Sequence, residues 1–424
     1  MKARLSIALL RVWLRWARHD RKAASALMSR AAAIGDWSTA RSACEALLSA
    51  DPPDPDALGR LADVYMGDGK PEAAYELYVR HAERVNSPLK PMLYKNAHMD
   101  SARAAAKEPY VHTLRDVTLE TERCAIFDGE KVYIQETSGT NLENHPHLKV
   151  RATPDRAFFV ISCPEPTQVI EEPCVLIGTD GGSNYSHWLT RNVFKLALLD
   201  SARVSTSLPL LINEDLRRYQ IELISMLEIP QSRLMRTRRG SVIRCREITV
   251  PVNMRDHPKM RTAIDWLRMR LARFMEPGES ARDLLYISRR DSQRHVLLNE
   301  MELDEALARL GFKTVVLSEM SFADQVHRFS RARIIVGAHG AGLTNIIFSP
   351  PHASVVEITN PNLRHMGDFR IMCKRMGMRY VEVLSNRFSA LQTTAFAPDY
   401  DYYVDTHVVL ERVREITDGL PAAR

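Results

Sequence analysis

The chain has 424 residues, 45% hydrophobic and 26% charged, the balance of an ordinary globular protein of two to three domains at roughly 100–200 residues each. Disordered, collagen-like and disulfide-stapled mini-protein classes are excluded. Lys and Arg number 58 against 52 Asp and Glu, a net +6, too small and dispersed to call for nucleic acid but suited to an anionic ligand or an anionic membrane surface.

At the N-terminus the apolar run Leu5–Leu10 is short, and Arg11, Arg15 and Arg18 interrupt the stretch after it. Neither a membrane span nor a secretory signal is expected. Leu9, Leu10, Trp13, Leu14 and Trp16 form one side of a basic amphipathic helix that either packs on the next helix or lies on a membrane surface. Residues 1–108 are rich in Ala and Leu and carry an internal repeat. Gly35-Asp36-Trp37-Ser38-Thr39-Ala40 aligns with Gly69-Lys70-Pro71-Glu72-Ala73-Ala74, Leu27 with Leu61, and Ala31 with Tyr65. The second copy resembles a tetratricopeptide repeat: small Ala62 and Ala74 let two antiparallel helices approach, and Gly69 permits the turn between them. A third stretch, Lys90 to Lys107, reads as helical. So short a repeat array is expected to dock on the domain behind it.

After Glu108-Pro109 the pattern changes. Cys124–Thr137 reads as a hairpin turning at Asp128-Gly129, and Ala157–Ser162 as a short strand. Residues 174–178 read as a strand, with a glycine-rich loop and a helix to Asp200. Leu208–Ile212 reads as a strand before a second helix, Arg236–Arg246 as basic turn, and Pro258–Met275 as a long amphipathic helix. Alternating strands and helices predict a mostly parallel sheet over residues 109–276.

Residues 277–424 predict a Rossmann-like βαβαβαβ unit. Its strands are Leu284–Ser288, Thr314–Leu317, Arg333–Gly337 and Ser354–Ile358. Its helices are Glu300–Leu310, with Asn299 as N-cap; Ser321–Phe329, with Ser321 and Asp324 capping reciprocally; and Leu343–Phe348.

Four groups of residues carry chemistry. His339, Gly340, Ala341, Gly342, Leu343, Thr344 and Asn345 leave a strand and open a helix, so bare backbone and free N–H groups favour an anion. A tight strand-to-helix turn demands glycine too, and His339 tilts the loop towards function. An esterase reading lacks a G-x-S-x-G nucleophile elbow. Ser288, Arg289 and Arg290 end a strand, where paired arginines clamp phosphate or simply sit solvated. Glu357, at another strand end, is placed to accept two ribose hydroxyl protons. In the first half, Gly181-Gly182-Ser183-Asn184-Tyr185-Ser186-His187-Trp188-Leu189 starts a helix. His187 is its candidate general base, with Asp180 as the alternative.

Taken together, NYSHWL, YISRR, SFADQVHRFSRARIIVGAHGAGLTNIIFSPP and SVVEI resemble glycosyltransferase family 61 across residues 176–358. The resemblance implies a GT-B-like fold of two Rossmann-like α/β lobes, nucleotide-sugar donors and inverting transfer, with a donor site on Arg290, on His339–Asn345 and on Glu357. Bacterial members are often capsular polysaccharide biosynthesis proteins. Ser186 stands where a larger residue is common.

The expectation is therefore an inverting, metal-independent glycosyltransferase without cofactor. A helical segment (1–108) precedes an acceptor lobe (109–276) and a donor lobe (277–424). Its partners are a nucleotide-sugar donor and a glycan or polysaccharide acceptor, with no nucleic acid. Residues 1–108 are free to bind a protein, self-associate or touch a membrane. Six cysteines with no C-x-x-C pair fit a reducing cytoplasm, at the inner face of the plasma membrane if peripheral. The competing reading is a helical-repeat adaptor that binds a nucleotide without turnover.

Overall fold

The computed structural model describes residues 12, 21–49, 55–81, 90–95, 110–128, 132–133, 148–153, 158–178, 181–252, 259–276, 282–292, 296–359, 367–387 and 401–418. The proposed amphipathic face at residues 9–16, the Asp128-Gly129 turn and Asp180 therefore fall wholly or partly outside the described residues. No helix among them is long and apolar enough to cross a membrane. They divide into two compact units. One draws on Met1–Asp180, Leu208–Glu214 and Arg236–Val252; the other draws on Gly181–Ser207, Asp215–Met235 and Asn253–Arg424.

The first unit opens with four helices: α1 (Arg21–Ala33), α2 (Trp37–Leu48), α3 (Pro55–Gly67) and α4 (Pro71–His81). Asp36 caps α2 by accepting from the Thr39 amide at 3.2 Å. Gly35 and Gly69 turn the two helix pairs at φ 73° and 69°, a region that costs glycine nothing. Ala31, Ala40, Ala62 and Ala74 are fully buried, so these repeat positions carry small side chains because neighbouring helices need close approach. The same core takes in Val160 and packs Leu93, so the helices dock on a small sheet as expected.

That sheet corrects one expectation. Lys90–Lys95 is not helical but strand β1, antiparallel to β5 (Phe158–Cys163), which also pairs with β4 (Lys149–Ala152). Pro91 is tolerated because β1 is an edge strand.

A larger mixed sheet runs in the order β3 (Ala125–Phe127), β2 (Val111–Glu120), β10 (Val242–Pro251), β7 (Cys174–Leu176), β8 (Leu210–Asn213), β9 (Leu234–Thr237), with β6 (Gln168–Ile170) beside β10. Only part of it is parallel: β10 runs with β6 and β7, and β7 with β8, whereas β2 is antiparallel to β10 and β3. Of the expected basic turn at Arg236–Arg246, residues 238–241 do turn, the Ser241 amide donating to the Arg238 carbonyl at 3.3 Å, while Arg236 and Thr237 end β9 and residues 242–246 enter β10, the longest partner of β2. Its Arg244, Arg246 and Glu247 lie on less buried positions while Ile243, Cys245 and Ile248 are buried.

The second unit contains α5 (Tyr185–His187), continued by a π-helical stretch Trp188–Val193 into α6 (Phe194–Ser201), then α7 (Arg218–Met226) and α8 (Met260–Arg270). Its sheet is wholly parallel, with β11 (Asp283–Ile287), β12 (Lys313–Val315), β13 (Ala332–Ala338), β14 (Ser354–Thr359) and β15 (Arg379–Leu384) in the order β12-β11-β13-β14-β15. This is the Rossmann-like unit the sequence predicts, doubly wound as 2-1-3-4-5. Its helices are α9 (Glu300–Ala308), α10 (Phe322–Ser330), α11 (Asp368–Met376) and α12 (Thr406–Asp418). Ser321 caps α10 as expected, its Oγ accepting from the Asp324 amide at 3.1 Å. Asn299 makes no side-chain cap; its amide instead brackets Val404, donating to the carbonyl at 2.8 Å and accepting from the amide at 3.2 Å. The predicted helix after the glycine loop is a 3-10 helix, Ala341–Phe348, starting two residues early.

Candidate functional site

In a 2-1-3-4-5 sheet the chain leaves β11 and β13 in opposite directions, which opens a crevice at their carboxyl ends. A cavity of about 530 Å³ lies there, in the second unit. Ser288 and Arg289 follow β11 and line it; Gly340, Gly342 and Leu343 follow β13 and line it too. Two motifs distant in sequence thus meet because their strands are neighbours.

The glycines answer to packing, not to backbone strain. Gly340 is extended (φ 167°), and a Cβ there would fall on Nη1 of Arg289. A Cβ on Gly342 would come within 2.6 Å of Leu317 Cδ1. Bare backbone at 340 therefore lets the Arg289 guanidinium lie across the loop. Glu300 fixes the other side of that arginine: its Oε1 accepts from the Arg289 amide at 2.7 Å and from the Tyr286 phenol at 3.2 Å. The first N–H groups of the 3-10 helix have no partner within it, so they are available to an anion. Its far end is held by Arg268, whose Nη1 donates to the carbonyls of Ile347 and Ser349 at 3.0 and 2.7 Å.

Other predicted residues stand off the cavity wall. Arg290 is exposed and reaches Glu319 only at 3.9 Å. Ala341 is half-buried, while Thr344 and Asn345 are fully buried beneath the loop. His339 turns away, between the cavity-lining Ala338 and Gly340. Glu357 is 4% exposed, and both its oxygens accept protein hydrogen bonds: from His339 Nδ1 and from the Tyr380 phenol, each at 2.6 Å. It is thus a buried bracket, not the open strand-end carboxylate that a ribose would need. Burial and the Glu357 charge push the Tyr380 phenol up.

The Asn184-Tyr185-Ser186-His187 motif is also explained locally. Asn184 caps α5, its Oδ1 accepting from the amides of Ser186 and His187 at 2.9 and 3.2 Å. His187 packs on Gly181, where a Cβ would lie 2.6 Å from Nδ1 and where φ is 66°. His187 is not on the cavity wall; Tyr185 is. Its phenol donates to Asn345 Oδ1 at 2.6 Å and also reaches Gln325 Oε1 at 3.1 Å, and burial pushes it far up.

Sequence reasoning missed several wall residues: Tyr185, Arg217, Arg218, Tyr219, Glu222 and Gln325. Tyr185 and Gln325 lie inside quoted motifs, NYSHWL and SFADQV, and could have been found there. Arg217 to Glu222 enter with α7, which no motif marks. Glu222 is fully engaged, accepting from Arg218 Nε at 2.7 Å and from the Phe322 amide at 2.6 Å. Tyr219 donates to the Ser183 carbonyl at 2.7 Å, and burial pushes its phenol up to about 12. Three arginines face Glu222 and Asp291 on the wall, a balance that favours an anion. Among the described residues no group of three His, Cys, Asp or Glu side chains is arranged to hold a metal ion.

Comparison with known proteins matches residues 185–356 to the Glycosyltransferase 61 family model and residues 31–87 to a tetratricopeptide repeat. An alpha-1,3-arabinosyltransferase of Oryza sativa subsp. japonica is 29% identical over 121 residues, covering 26% of this chain and 21% of its own. A beta-1,2-xylosyltransferase of Arabidopsis thaliana is 29% identical over 123 residues, 24% of this chain and 23% of its own. The protein O-linked-mannose beta-1,4-N-acetylglucosaminyltransferase 2 of Canis lupus familiaris is 36% identical over 94 residues, 20% of this chain and 16% of its own. The chain thus spans about a fifth of the length of these relatives. It carries a domain of the glycosyltransferase 61 family, preceded by a tetratricopeptide repeat.

Proposed function

We propose that the chain is an inverting glycosyltransferase of GT-B type, moving a sugar from a nucleoside diphosphate to a glycan acceptor without a metal ion. The observation that carries this reading is the cavity at the β11/β13 switch point, where Arg289 lies across Gly340 and the 3-10 helix begins. As the bond to the sugar breaks, negative charge grows on the departing diphosphate. Preorganised donors then matter most: Arg289, the amides of the loop and the Ser288 hydroxyl.

The relatives' names, arabinosyl-, xylosyl- and N-acetylglucosaminyltransferase, support a glycan acceptor. Within this reading the acceptor is a cell-surface polysaccharide of capsular kind. The protein works in the cytoplasm, peripheral at the membrane, and the helical segment binds a partner or a second copy. An acceptor hydroxyl needs a positioned base, worth about 10²–10⁴ in rate; within this reading His187 is the candidate although it stands off the cavity wall, with Asp180 as the alternative.

The test is a thermal-shift screen of nucleotide sugars on the full chain, followed by product detection with oligosaccharide acceptors. Binding with transfer is the expected result. Binding without transfer or donor hydrolysis across the panel would favour an adaptor.

A further inference from the structure

A second cavity, of about 360 Å³, opens elsewhere in the second unit, and the proposed reaction leaves it unused. Its size suits a small-molecule site. Two helix ends build much of its wall, and both close in the same way. After α6 the amides of Arg203 and Val204 donate to the carbonyls of Asp200 and Leu199 at 3.1 and 3.0 Å. After α7 those of Glu228 and Ile229 donate to Ser225 and Ile224 at 2.9 and 3.2 Å. These closures set Leu199, Val204 and Ile229 on the cavity wall. Each needs one left-handed residue, a place glycine usually takes; here Arg203 has φ 55° and Glu228 φ 59°. Glu228 is itself on the wall, and backbone strain of this kind gathers at ligand sites.

α8 contributes Trp266 and Arg270, one turn apart. The Trp266 indole N–H donates to Asp200 Oδ2 at 2.8 Å, and Arg270 Nη2 donates to the same oxygen at 3.2 Å. The Arg270 guanidinium also lies 5.5 Å from the Trp266 ring centroid. The indole is thus fixed before any ligand arrives, which spares the cost of ordering it on binding. The indole hydrogen bond, with help from Arg270, holds the Asp200 carboxyl below its usual range, so it is ionised at neutral pH. Its Oδ1 has no hydrogen bond among the described residues, and the side chain is 46% exposed. A ligand hydroxyl can donate there.

Charge decides the class of ligand. Asp200 and Glu228 stand against Arg233 and Arg270 on this wall, so a phosphate or an anionic lipid gains no net attraction. A wholly apolar ligand would cover the Asp200 carboxylate without replacing its water. A sugar ring fits both demands. Its C–H face packs on an aromatic ring, and the hydroxyls on its rim donate to a carboxylate and accept from a guanidinium.

We propose that the second cavity is a saccharide subsite for an inner unit of the acceptor glycan, with Trp266 against the sugar ring and Asp200 and Arg270 on its hydroxyls. The acceptor role rests on the glycosyltransferase reading; saccharide binding by itself does not. α7 joins the two sites. Arg218, Tyr219 and Glu222 at its start line the cavity at β11 and β13, and the residues just past its end line this one. Its nine residues span about 14 Å, a distance that a few linked sugars bridge. A long acceptor is then held at both ends of α7, and a short one at a single end.

The experiment is calorimetric titration of the full chain with xylo-, manno- and chito-oligosaccharides of increasing length, and separately with UDP-xylose, UDP-N-acetylglucosamine and GDP-mannose. For whichever saccharide series binds, Trp266→Ala should bind about tenfold or more weakly, the loss expected of a truncated aromatic anchor. Asp200→Asn should lose several-fold, as a weakened charged hydrogen bond does, and serves if Trp266→Ala does not fold. Nucleotide-sugar affinity should be unchanged in both variants. In transfer assays KM should rise for long acceptors and not for short ones, with kcat held. Both variants binding saccharide as tightly as wild type overturns the subsite. So does a parallel loss of saccharide and nucleotide-sugar affinity, or a wild type that binds nucleotide sugar and no saccharide; each leaves the nucleotide-sugar reading intact. Saccharide binding through Trp266 in a chain that binds no nucleotide sugar keeps the subsite and overturns that reading, and binding of neither overturns both.

Discussion

The Tyr185 phenol and the Asn345 amide, 160 positions apart in sequence, meet at 2.6 Å beneath the glycine loop. Gln325 closes the group. Its Oε1 accepts from Asn345 Nδ2 at 3.1 Å, its Nε2 donates to the Leu317 carbonyl at 2.9 Å, and it is 4% exposed. Asn345 also donates to the Gly342 carbonyl at 3.1 Å, so the network ties the NYSH motif to the loop itself. Gln325→Leu strands these partners and should destabilise the protein by about 1–3 kcal/mol. In a double-mutant cycle by denaturant unfolding, Tyr185→Phe and Asn345→Ala should couple by at least about 0.5 kcal/mol. Strict additivity would mean that the contact carries no energy.

Of the two arginines in YISRR, the cavity is lined by Arg289 while Arg290 is exposed beside Glu319. Arg289→Ala should therefore weaken nucleotide-sugar binding about tenfold or more, the worth of a charge-assisted contact, and Arg290→Ala distinctly less. Gly340→Ala should mimic Arg289→Ala, because its methyl takes the space of the guanidinium. Titration calorimetry on the three variants checks the order; a larger loss at Arg290 would reverse the assignment.

Val160 lies on β5 yet belongs to the core of the helical segment, 1% exposed. A charge there should loosen helices that are remote in sequence. Val160→Asp is expected to cost several kcal/mol, as a buried unpaired charge does, and to speed proteolysis within residues 21–81. Unchanged protease resistance would show that the helices stand without the sheet.

Asp283 begins β11 with its side chain 4% exposed. Burial works to raise its carboxyl, but Lys313 at 2.9 Å, Arg331 at 3.2 Å and Arg328 at 3.6 Å outweigh it and hold the group below its usual range. A depressed carboxylate contributes stability that is present above its unfolded value, about 3.9, and is lost as pH falls through the lower folded value. Asp283→Asn should thus be less stable than wild type near neutrality, with the gap closing below about pH 4. A gap that stays constant with pH would remove the ion pairs from the cause.

The doubly wound unit was legible because buried parallel strands read as unbroken apolar runs, such as Ile334–Val336 and Val355–Val356, between glycine and serine turns. The repeat was legible through Gly35, Gly69 and the buried alanines. β10 was not, since Arg244, Arg246 and Glu247 on its less buried positions imitate a polar turn. Nor was β1, whose Pro91 and two lysines gain strand structure only by pairing with β5. At the site, the motif residues were visible but not their roles. That Glu357 would be sealed by Tyr380 depends on β15 lying next to β14, and strand order is set by packing over the whole sheet. α7 brings Arg217 and Tyr219 to the cavity for the same reason, with no local signal.

The central claim is that the crevice at the ends of β11 and β13 binds the diphosphate of a sugar nucleotide. Hydrogen–deuterium exchange of the full chain, with and without the nucleotide sugar that gives the largest thermal shift, tests it most directly. Slower exchange is predicted in peptides covering 288–292 and 339–345, and this protection should be lost in Arg289→Ala. Unchanged exchange in both peptides at saturating ligand, or protection confined to other segments, would contradict it.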